Sequence, residues 1–456
     1  MDKQYHLKAF KAYDIRGGWG KELTPRMVYK TGYFLPKVLK AKKILVGRDV
    51  RLSSDEVHDE LIKGLRDAGT DVFDAGLTTT SMIYWGTGKL DFGASVMITA
   101  SHNPKDHNGL KVSGKGVKPI GYDNGLKEVE SMIVNDDPIK PVSKKGGIFK
   151  LDLQLQYLNF LQQYTNDFSD LNISIDCSDG MASLFANQLF GKGPHYLNCR
   201  PDGNFPAHEP NPLEPENREQ IIKAVLSHKS DIGVIFDGDA DRVMFIDDKG
   251  NFVSPDLLIA LLGHYFFDGK KQGQKKTVVQ DIRTSKAVGE YLQQFDVEMI
   301  TWRVGRAYGA TKLKEVNGVY GGELAGHYYF RDFYYSDSGL LAALLVLEIV
   351  ARFHRKGVRF SQLISRISGY FNTGEVNFRI EEKQTAMDAV KAWFFKNEPP
   401  VKFYDFDGYR LEFNNWWFNI RPSNTEPYLR FIAEAKTKKR LDEKTKIIFD
   451  IVSRFK

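Results

Sequence analysis

The fold can be worked out from residues 233–242, GVIFDGDADR, where an apolar run ends abruptly in an acidic loop. An apolar run without alternating polar residues favours a strand buried on both faces, as in a parallel sheet covered by helices. The same pattern recurs at KILVGRDVRLSS (43–54), ASVMITASHNP (94–104), ISIDCSDG (173–180), TVVQDIRTS (277–285) and NGVYGGELAGH (317–327). We therefore predict buried strands whose carboxyl ends open into polar loops.

Helix-like segments lie between these runs. Residues 55–69, 218–229 and 257–271 have the apolar spacing of amphipathic helices. Strands that alternate with helices predict an α/β architecture, in which ligands bind beyond the carboxyl ends of the strands. The polar loops fall at that edge.

The length of 456 residues suggests about three domains at roughly 150 residues each, with two or four also compatible. Breaks are predicted in the charged, Pro- and Gly-containing residues 134–147, near residues 247–250 and near residues 369–374. After the last break, strand-like EVNFRI (375–380) and YRLEFNNWWFNI (409–420) alternate with helix-like sequence. This last portion is predicted to be a separate α+β domain.

The composition argues against several classes of protein. The net charge of +6 is too weak, over this length, to indicate a nucleic-acid partner, although it suits an anionic small substrate. Cys177 and Cys199 are the only cysteines, which argues against a disulfide framework or a zinc site built from cysteines. The first residues lack the apolar core of a signal peptide, and the longest apolar stretch, residues 339–350, is too short to span a bilayer. We expect a soluble cytoplasmic protein with no membrane partner.

The acidic loop after residue 236 is a candidate metal site. Asp237, Asp239 and Asp241 alternate with small residues, so three carboxylates can point at one hard cation such as Mg²⁺. A calcium EF-hand is excluded, because its sixth and twelfth positions would be Arg242 and Asp248 instead of Gly and Glu. The competing interpretation is a solvated acidic turn, which mutual repulsion of the carboxylates disfavours.

A second loop, residues 99–104, presents Ser101 where an apolar strand gives way to polar sequence. His102 and Lys111 are nearby candidates for proton transfer and charge compensation. Ser-His-Asn-Pro is also an ordinary turn sequence, so this signal alone is moderate. The loop lacks the Gly-x-Ser-x-Gly pattern, which argues against an ordinary serine hydrolase.

Two further loops carry groups that could bind a phosphosugar. Residues 421–427, RPSNTEP, followed by Arg430, combine guanidinium, hydroxyl and amide groups suited to a phosphate dianion. The Gly-rich residues 321–327 carry Glu323 and His327, which could bind vicinal hydroxyls. A hydrophilic turn and a solvated carboxylate are the alternatives for these two loops.

Taken together and in this order, the four loops resemble those of the α-D-phosphohexomutase family, in its phosphomannomutase/phosphoglucomutase branch. The resemblance begins with Ala12-Tyr13-Asp14-Ile15-Arg16-Gly17 and Gly47-Arg48-Asp49, and it runs to RPSNTEPYLR (421–430). It implies a heart-shaped molecule with a central cleft, built from three similar α/β domains with mixed sheets covered by helices and a C-terminal α+β domain. The implied domains are 1–145 with the phosphoserine loop, 146–249 with the metal loop, 250–369 with the sugar loop and 370–456 with the phosphate loop.

The resemblance also implies a role for each loop. Ser101 would carry the transferable phosphate, with His102, Lys111 and Arg16 beside the chemistry. Ser101, through its phosphate, and Asp237, Asp239 and Asp241 would hold one Mg²⁺. Sugar contacts are implied for Glu323, His327, Arg242, Tyr13, Arg283 and Arg306. Phosphate contacts are implied for Arg421, Ser423, Asn424, Thr425 and Arg430.

The implied reaction interconverts hexose 6-phosphate and hexose 1-phosphate of mannose, glucose or both. Phosphorylated Ser101 would give a hexose 1,6-bisphosphate that returns its other phosphate to the serine, and free bisphosphate would act as primer. The phosphosugar is the only partner implied, and the chain would be a monomer or a dimer. Which of His102, Lys111 and Arg16 is the general base stays open.

The sequence departs from the family pattern at several positions. Leu324 and Ala325 stand where the sugar loop usually has Met and Ser, and Arg283 and Arg306 stand where some mutases have Lys and His. Residues 176–180, DCSDG, replace the commoner Asp-Cys-Gly-Asn-Gly. These departures bear on which sugar is preferred.

Three alternatives remain at this point. A phosphoglucosamine mutase would use the same mechanism on an amino sugar. A haloacid-dehalogenase-type phosphatase would use Asp237 as nucleophile, although Asp241 stands where that class has Thr or Val. A phosphosugar-binding regulator would have kept the fold without catalysis.

Overall fold

The computed structural model describes residues 7–269, 276–423 and 428–455. These residues form four separate β-sheets, which follow one another along the chain and are each accompanied by helices. Strands and helices alternate in the first three units, as the apolar runs predict.

The first unit has a mixed sheet. Its elements are β1 Ile15–Gly18, α1 Pro25–Leu39, β2 Lys43–Arg48, α2 Ser54–Asp67, β3 Asp71–Leu77, α3 Thr80–Lys89, β4 Ala94–Ile98, β5 His107–Gly114, β6 Lys118–Ile120, α4 Leu126–Val134 and β7 Ile148–Lys150. The strand order is β1-β5-β4-β2-β3-β7, with β6 paired to β5. Strands β4, β2, β3 and β7 run parallel, whereas β5 is antiparallel to β4.

The second unit repeats this arrangement on a smaller scale. Its elements are α5 Gln154–Gln162, β8 Ile173–Asp176, α6 Ala186–Phe190, β9 His195–Leu197, α7 Glu219–His228, β10 Ile232–Phe236, β11 Val243–Asp247 and β12 Phe252–Val253. The order is β12-β11-β10-β8-β9. Strand β10 is parallel to β8 and antiparallel to β11, so it occupies the place of β4.

The third unit has the same plan. Its elements are α8 Leu257–Phe267, β13 Thr277–Asp281, α9 Lys286–Leu292, β14 Glu298–Trp302, α10 Arg306–Glu315, β15 Tyr320–Gly322, β16 Tyr328–Phe330, β17 Ser336–Asp337, α11 Gly339–His354 and α12 Phe360–Ile367. The order is β14-β13-β15-β16-β17. Strand β15 is parallel to β13 and antiparallel to β16.

The fourth unit is an antiparallel sheet with two helices. Its elements are β18 Phe371–Asn372, β19 Val376–Arg379, α13 Lys383–Asn397, β20 Lys402–Tyr404, β21 Tyr409–Glu412, β22 Trp416–Pro422, β23 Tyr428–Ala435 and α14 Lys438–Val452. The order is β18-β23-β22-β21-β20, with β19 paired to β23. Residues 409–420, read from the sequence as one strand-like run, form the two strands β21 and β22. They are joined by a turn at Asn414 and Asn415. A hydrogen bond from the Phe413 N–H to the Trp416 carbonyl, 2.9 Å long, closes this turn.

The four units do not contribute to the hydrophobic cores in the same way. One core joins side chains from the first three units, for example Trp85, Phe236 and Leu344. The fourth unit has its own core, which includes Phe394, Trp416 and Phe431. The first three units are thus packed together through apolar side chains, whereas the fourth is a separate hydrophobic body.

Helix α11 is the apolar stretch noted in the sequence, and most of its residues are buried. Its first turn is capped by Ser338, whose Oγ accepts from the Leu341 N–H at 3.2 Å. Among the helices of the described residues, none is long and apolar enough to cross a membrane.

The predicted domain limits remain a prediction. Strand β7 pairs with β3, so the first sheet extends to residue 150, beyond the limit placed at residue 145. All four loops singled out in the sequence connect an antiparallel pair of neighbouring strands, namely β4–β5, β10–β11, β15–β16 and β22–β23. The repeated fold therefore presents the first three loops in equivalent places.

Candidate active site

The serine of the first loop is buried just beyond β4. Ser101 has a left-handed backbone with φ of 53°, which is uncommon for a residue with a β-carbon. Its N–H donates to Thr99 Oγ1 at 2.8 Å, which stabilises this turn. Its Oγ donates to Asp237 Oδ2 at 2.7 Å. The serine hydroxyl and the acidic loop are thus in direct contact.

The acidic loop brings three carboxylates to one point. Asp237, Asp239 and Asp241 are fully buried, and one oxygen of each lies within 4.8 Å of the others. Lys111 Nζ donates to Asp239 Oδ2 at 2.6 Å and also to Asp241 Oδ2. Burial together with the other two carboxylates raises the pKa of Asp237 well above its ordinary value. Burial acts against ionisation of Asp241 as well, but the Lys111 ammonium and the Arg242 guanidinium hold the pKa of Asp241 low.

These residues fit a small divalent cation. Oδ1 of Asp239 and Oδ1 of Asp241 are buried without a hydrogen-bond partner in the described part of the chain. The Lys111 ammonium donates directly to two of the three carboxylates, those of Asp239 and Asp241, and Arg242 lies 3.8 Å from the third, Asp237. Hard oxygen donors with uncompensated negative charge are what Mg²⁺ prefers, and the oxygen of Ser101 lies beside them.

The three candidate general bases surround Ser101 in different ways. His102 Nδ1 lies 3.4 Å from Ser101 Oγ, and burial, with the nearby Arg242 and Arg16, lowers the pKa of His102 well below its ordinary value. Arg16 donates to the Ala100 carbonyl at 3.1 Å and pairs with an acidic neighbour. Lys111 is held by the acidic loop. All three residues lie at the serine, so their contacts alone leave the base unassigned.

The sugar loop contacts the metal loop. Arg242 and His327 form an isolated β-bridge, and Arg242 Nε donates to His327 Nε2 at 2.9 Å. Glu323 is buried, accepts from the Gly305 N–H at 3.3 Å and also accepts from the Tyr329 hydroxyl. Burial raises the pKa of Glu323. The carboxylate is therefore buried, and hydrogen bonds from Gly305 and Tyr329 hold it in place.

Two departures from the family pattern are placed differently. Arg283 pairs with Asp281 at 2.7 Å and lies 3.9 Å from Glu323 Oε2. Arg306 instead lies over the ring of Tyr84, from the first unit, at 4.9 Å. Arg283 is thus at the sugar loop, and Arg306 is buried where the first and third units meet.

The remaining departures lie beside these groups. The Leu324 N–H donates to Asp281 Oδ2 at 2.9 Å, and Ala325 follows it as a partly exposed residue. Ser178 and Asp179 keep a positive φ where the family commonly has Gly and Asn, and Ser178 Oγ donates to the Phe236 carbonyl at 2.6 Å. The 176–180 loop therefore supports the metal loop from behind.

Tyr13 ties the first unit to the third. Its hydroxyl donates to the Val304 carbonyl at 3.0 Å, and its ring lies edge-on to Tyr308 with centroids 5.5 Å apart. A β-carbon on Gly305 would lie 2.5 Å from the Tyr13 ring, so only glycine fits there.

The phosphate loop begins and ends in facing arginines. Arg421 on β22 lies directly opposite Arg430 on β23. Burial and the charge of Arg283 lower the pKa of Arg421, and Arg430 donates to Glu375 at 2.9 Å. The Ser423 N–H donates to the Tyr428 carbonyl at 2.8 Å. Asn424 and Thr425 lie outside the described residues.

Four family models cover almost the whole chain. They describe phosphoglucomutase/phosphomannomutase alpha/beta/alpha domains I, II and III, at residues 7–138, 155–250 and 254–370, and the C-terminal domain, at residues 375–450. The chain belongs to the phosphoglucomutase/phosphomannomutase family.

Members of this family align with the chain over nearly their full length. A phosphomannomutase of Methanocaldococcus jannaschii is 35% identical over 459 residues, which are 98% of each chain. A phosphomannomutase of Escherichia coli K12 is 35% identical over 442 residues, 94% of this chain and 95% of that one. The crystal structure of a phosphoglucomutase/phosphomannomutase family protein from Burkholderia thailandensis matches with a TM-score of 0.86 at 26% identity, over 99% of this chain and 98% of that one.

Membership confirms the predicted family and fold class, and it makes the chain a phosphohexomutase that acts on a small phosphosugar. The phosphatase and the non-catalytic regulator are thereby set aside. The family uses a metal ion, and the acidic cluster of this phosphohexomutase could bind one.

Sequence reasoning missed Arg51 of this phosphohexomutase. Its guanidinium is buried and donates to four carbonyls of the serine loop and the start of β5, including Ser101 O at 2.8 Å and Asn103 O at 2.6 Å. Asp49 pairs with it at 3.2 Å. The signal was an arginine two residues after the conspicuous Asp49, in a loop that carries no motif of its own.

Asp337 was also missed. It is fully buried at the end of β17 and accepts from His327 Nδ1 at 2.6 Å. The available signal was an acidic residue two positions before the long apolar helix α11.

Proposed function

We propose that this phosphohexomutase interconverts hexose 6-phosphate and hexose 1-phosphate through a phosphorylated Ser101 and a hexose 1,6-bisphosphate. The observation that supports this most directly is the buried Ser101 hydroxyl, 2.7 Å from an oxygen of Asp237 within the carboxylate triplet. The phosphoryl group would move from Ser101 Oγ to a sugar hydroxyl, and the hydroxyl proton would pass to a nearby base. The second phosphate of the bisphosphate would then return to Ser101.

Mg²⁺ is the ion we propose for the acidic cluster. Asp237, Asp239 and Asp241 would hold it, with an oxygen of phosphorylated Ser101 as a further donor. When bound, it would neutralise charge on the transferring phosphoryl group. Lys111, already hydrogen-bonded to two of the aspartates, would keep its ammonium at the same oxygens.

The rest of the cleft would position the substrate. Arg421 and Arg430 would bind the phosphate that is not reacting, and Ser423, Asn424 and Thr425 would add donors. Glu323 and Arg283 would contact sugar hydroxyls, with Arg242 beside the transferring group, whereas both ring nitrogens of His327 are already bonded to Arg242 and Asp337. Arg16 would stabilise the charge at Ser101, because its guanidinium donates to Ala100 and Asn103 in the same loop.

Mannose and glucose phosphates are the substrates we propose, with hexose 1,6-bisphosphate as primer. The phosphomannomutases that match over the whole chain support mannose. A phosphoglucosamine mutase is the second candidate, because Ala325 removes a hydroxyl that the sugar loop usually offers. Relative turnover of the three hexose phosphates by the pure protein separates these possibilities. A monomeric or dimeric state and a cytoplasmic location remain predictions from the sequence.

The test of this proposal is the Ser101→Ala variant. We expect it to lose interconversion completely while it still binds the phosphosugar, because only the carrier of the phosphoryl group is removed. Ser95→Ala is the matched control, since Ser95 is equally buried, lies earlier on β4 and accepts from the Thr87 hydroxyl in the core. Turnover by Ser101→Ala at the rate of the control would contradict the proposal.

A further inference from the structure

Three residues form an unbroken hydrogen-bonded chain from the third unit to the metal loop. Asp337 Oδ2 accepts from His327 Nδ1 at 2.6 Å, and His327 Nε2 accepts from Arg242 Nε at 2.9 Å. Arg242 Nε in turn lies 3.8 Å from Asp237 Oδ2. That oxygen is the one that accepts the Ser101 hydroxyl. The hydrogen-bonded chain therefore ends at Arg242, which lies at ion-pair distance from the carboxylate that accepts from the serine.

The chemistry of arginine fixes the direction of this chain. An arginine Nε–H can only donate, so His327 Nε2 must offer its lone pair, and the ring proton must be on Nδ1. That proton is donated to Asp337. Because both ring nitrogens are engaged in this way, Asp241, His327 and Asp337 do not form a second metal site, although their ligand atoms lie close together.

Asp337 is held firmly in place. It is fully buried, its carbonyl accepts from Ser81 Oγ at 3.1 Å, and Arg306 Nη1 lies 3.9 Å from its second oxygen. The following Gly339 packs on the backbone of the metal loop, where a β-carbon would lie 2.6 Å from the Arg242 carbonyl. Asp337 and the metal loop are thus held close to each other.

We propose that Asp337 is a positioning residue of the phosphohexomutase, which fixes the Nδ1–H form of His327 and thereby holds the Arg242 guanidinium beside Asp237, the carboxylate that accepts the Ser101 hydroxyl. This inference rests on the proposed role of Ser101. Without the carboxylate, the ring can turn or shift its proton to Nε2. Two donors would then face each other, and Arg242 would move away from the loop.

The Asp337→Asn variant tests this positioning role. We expect kcat to fall roughly 10- to 100-fold with KM nearly unchanged, as for residues that orient a histidine from behind. In an Arg242→Lys background, which lacks the Nε–H, the same change should cost less than about 3-fold, because the two residues act through one contact. Asp247→Asn is the control, since Asp247 is a buried acid at the end of β11 that caps a remote turn.

A wild-type measurement tests the same contact without a variant of Asp337. In long-range ¹H–¹⁵N spectra of histidine-labelled protein, assigned with His327→Gln, we expect His327 to carry its proton on Nδ1. A proton on Nε2 would overturn the proposal. Equal losses from Asp337→Asn in the wild-type and Arg242→Lys backgrounds would overturn it too, and so would an unchanged kcat. If Ser101→Ala were active, the proposed function would fail instead.

Discussion

The buried guanidinium of Arg421 illustrates how much a single residue contributes to binding. It lies beside Arg430 and near Arg283, so its environment is rich in positive charge before any phosphate binds, and burial lowers the pKa of Arg421. A phosphate dianion would relieve this repulsion. The arginines are thus arranged to bind an anion, and the repulsion between their charges is offset when the ligand binds.

We expect Arg421→Ala to weaken binding of hexose phosphate by about 2 kcal/mol, or roughly 30-fold, because a buried charge-assisted hydrogen bond is lost. The effect should fall on KM more than on kcat. Arg379→Ala is a suitable control, since this arginine is exposed on the neighbouring β19. Isothermal titration with the non-reacting Ser101→Ala protein measures the change directly, and equal affinity in both arginine variants would contradict the assignment.

Among individual residues, the sequence predicted those that stand in motifs and missed those that hold the motif residues in place. Ser101, the three aspartates and Glu323 are conspicuous because their loops interrupt apolar runs. Arg51 was missed although its loop also follows an apolar run, because its partners are carbonyls 50 or more residues further along the chain. Asp337 was missed because its partner, His327, lies ten residues earlier and no motif links the two. Only the folded structure brings such partners together.

At the scale of elements, the contact between the third and fourth units is mostly polar. Arg410 on β21 donates to the carbonyls of Ile282 and Thr284, which follow β13. Glu434 on β23 accepts from Ser285 Oγ at 2.6 Å and from Trp417 Nε1 at 2.8 Å. The 281–285 loop, which includes Arg283, thus contacts the fourth unit on one side and the sugar loop on the other.

This contact should depend on pH through Glu434. Burial and the nearby Asp256 raise the pKa of Glu434 to about 7, and its ordinary value is 4.5. The folded state therefore keeps its proton at pH values where the unfolded state has released it, so stability is lost as pH rises from 4.5 to about 7. The groups that face the Glu434 carboxyl are Asp256, Ser285, Trp417 and Asn372.

We expect Glu434→Gln to remove this loss, which is of the order of 3 kcal/mol, because the amide stays neutral. The melting temperature of the variant, relative to wild type, should rise between pH 4.5 and 7 and then stay level. Glu443→Gln, at an exposed position of α14, serves as the control. Parallel curves of melting temperature against pH for wild type and Glu434→Gln would show that the burial of Glu434 does not govern the pH dependence of stability.

Element types were predictable where the apolar pattern is continuous: strands β2, β4, β8, β13 and β15 lie within the predicted runs, and β10 begins one residue before its run, at Ile232. The division of residues 409–420 into two strands was not, because Asn414 and Asn415 interrupt the run by only a short polar step. Pairing across that turn, and not local preference, separates β21 from β22.

For the whole molecule, the unequal cores suggest how the cleft works. The first three units share apolar side chains, whereas the fourth has its own core and a polar contact with the third. Units that are joined by polar contacts move more easily than units that share a core. We therefore expect the fourth unit, which carries the phosphate loop, to move relative to the other three. The sequence alone could not reveal which units share a core, because core sharing is a property of packing.

The central claim is that Ser101 carries the phosphoryl group. Its most direct test is the intact mass of the purified protein before and after incubation with a hexose 1,6-bisphosphate and Mg²⁺, followed by peptide mapping. We expect a gain of one phosphoryl group on the peptide that contains Ser101, and no gain in Ser101→Ala. A phosphoryl group found on Asp237, or one that still appears in Ser101→Ala, would contradict the account.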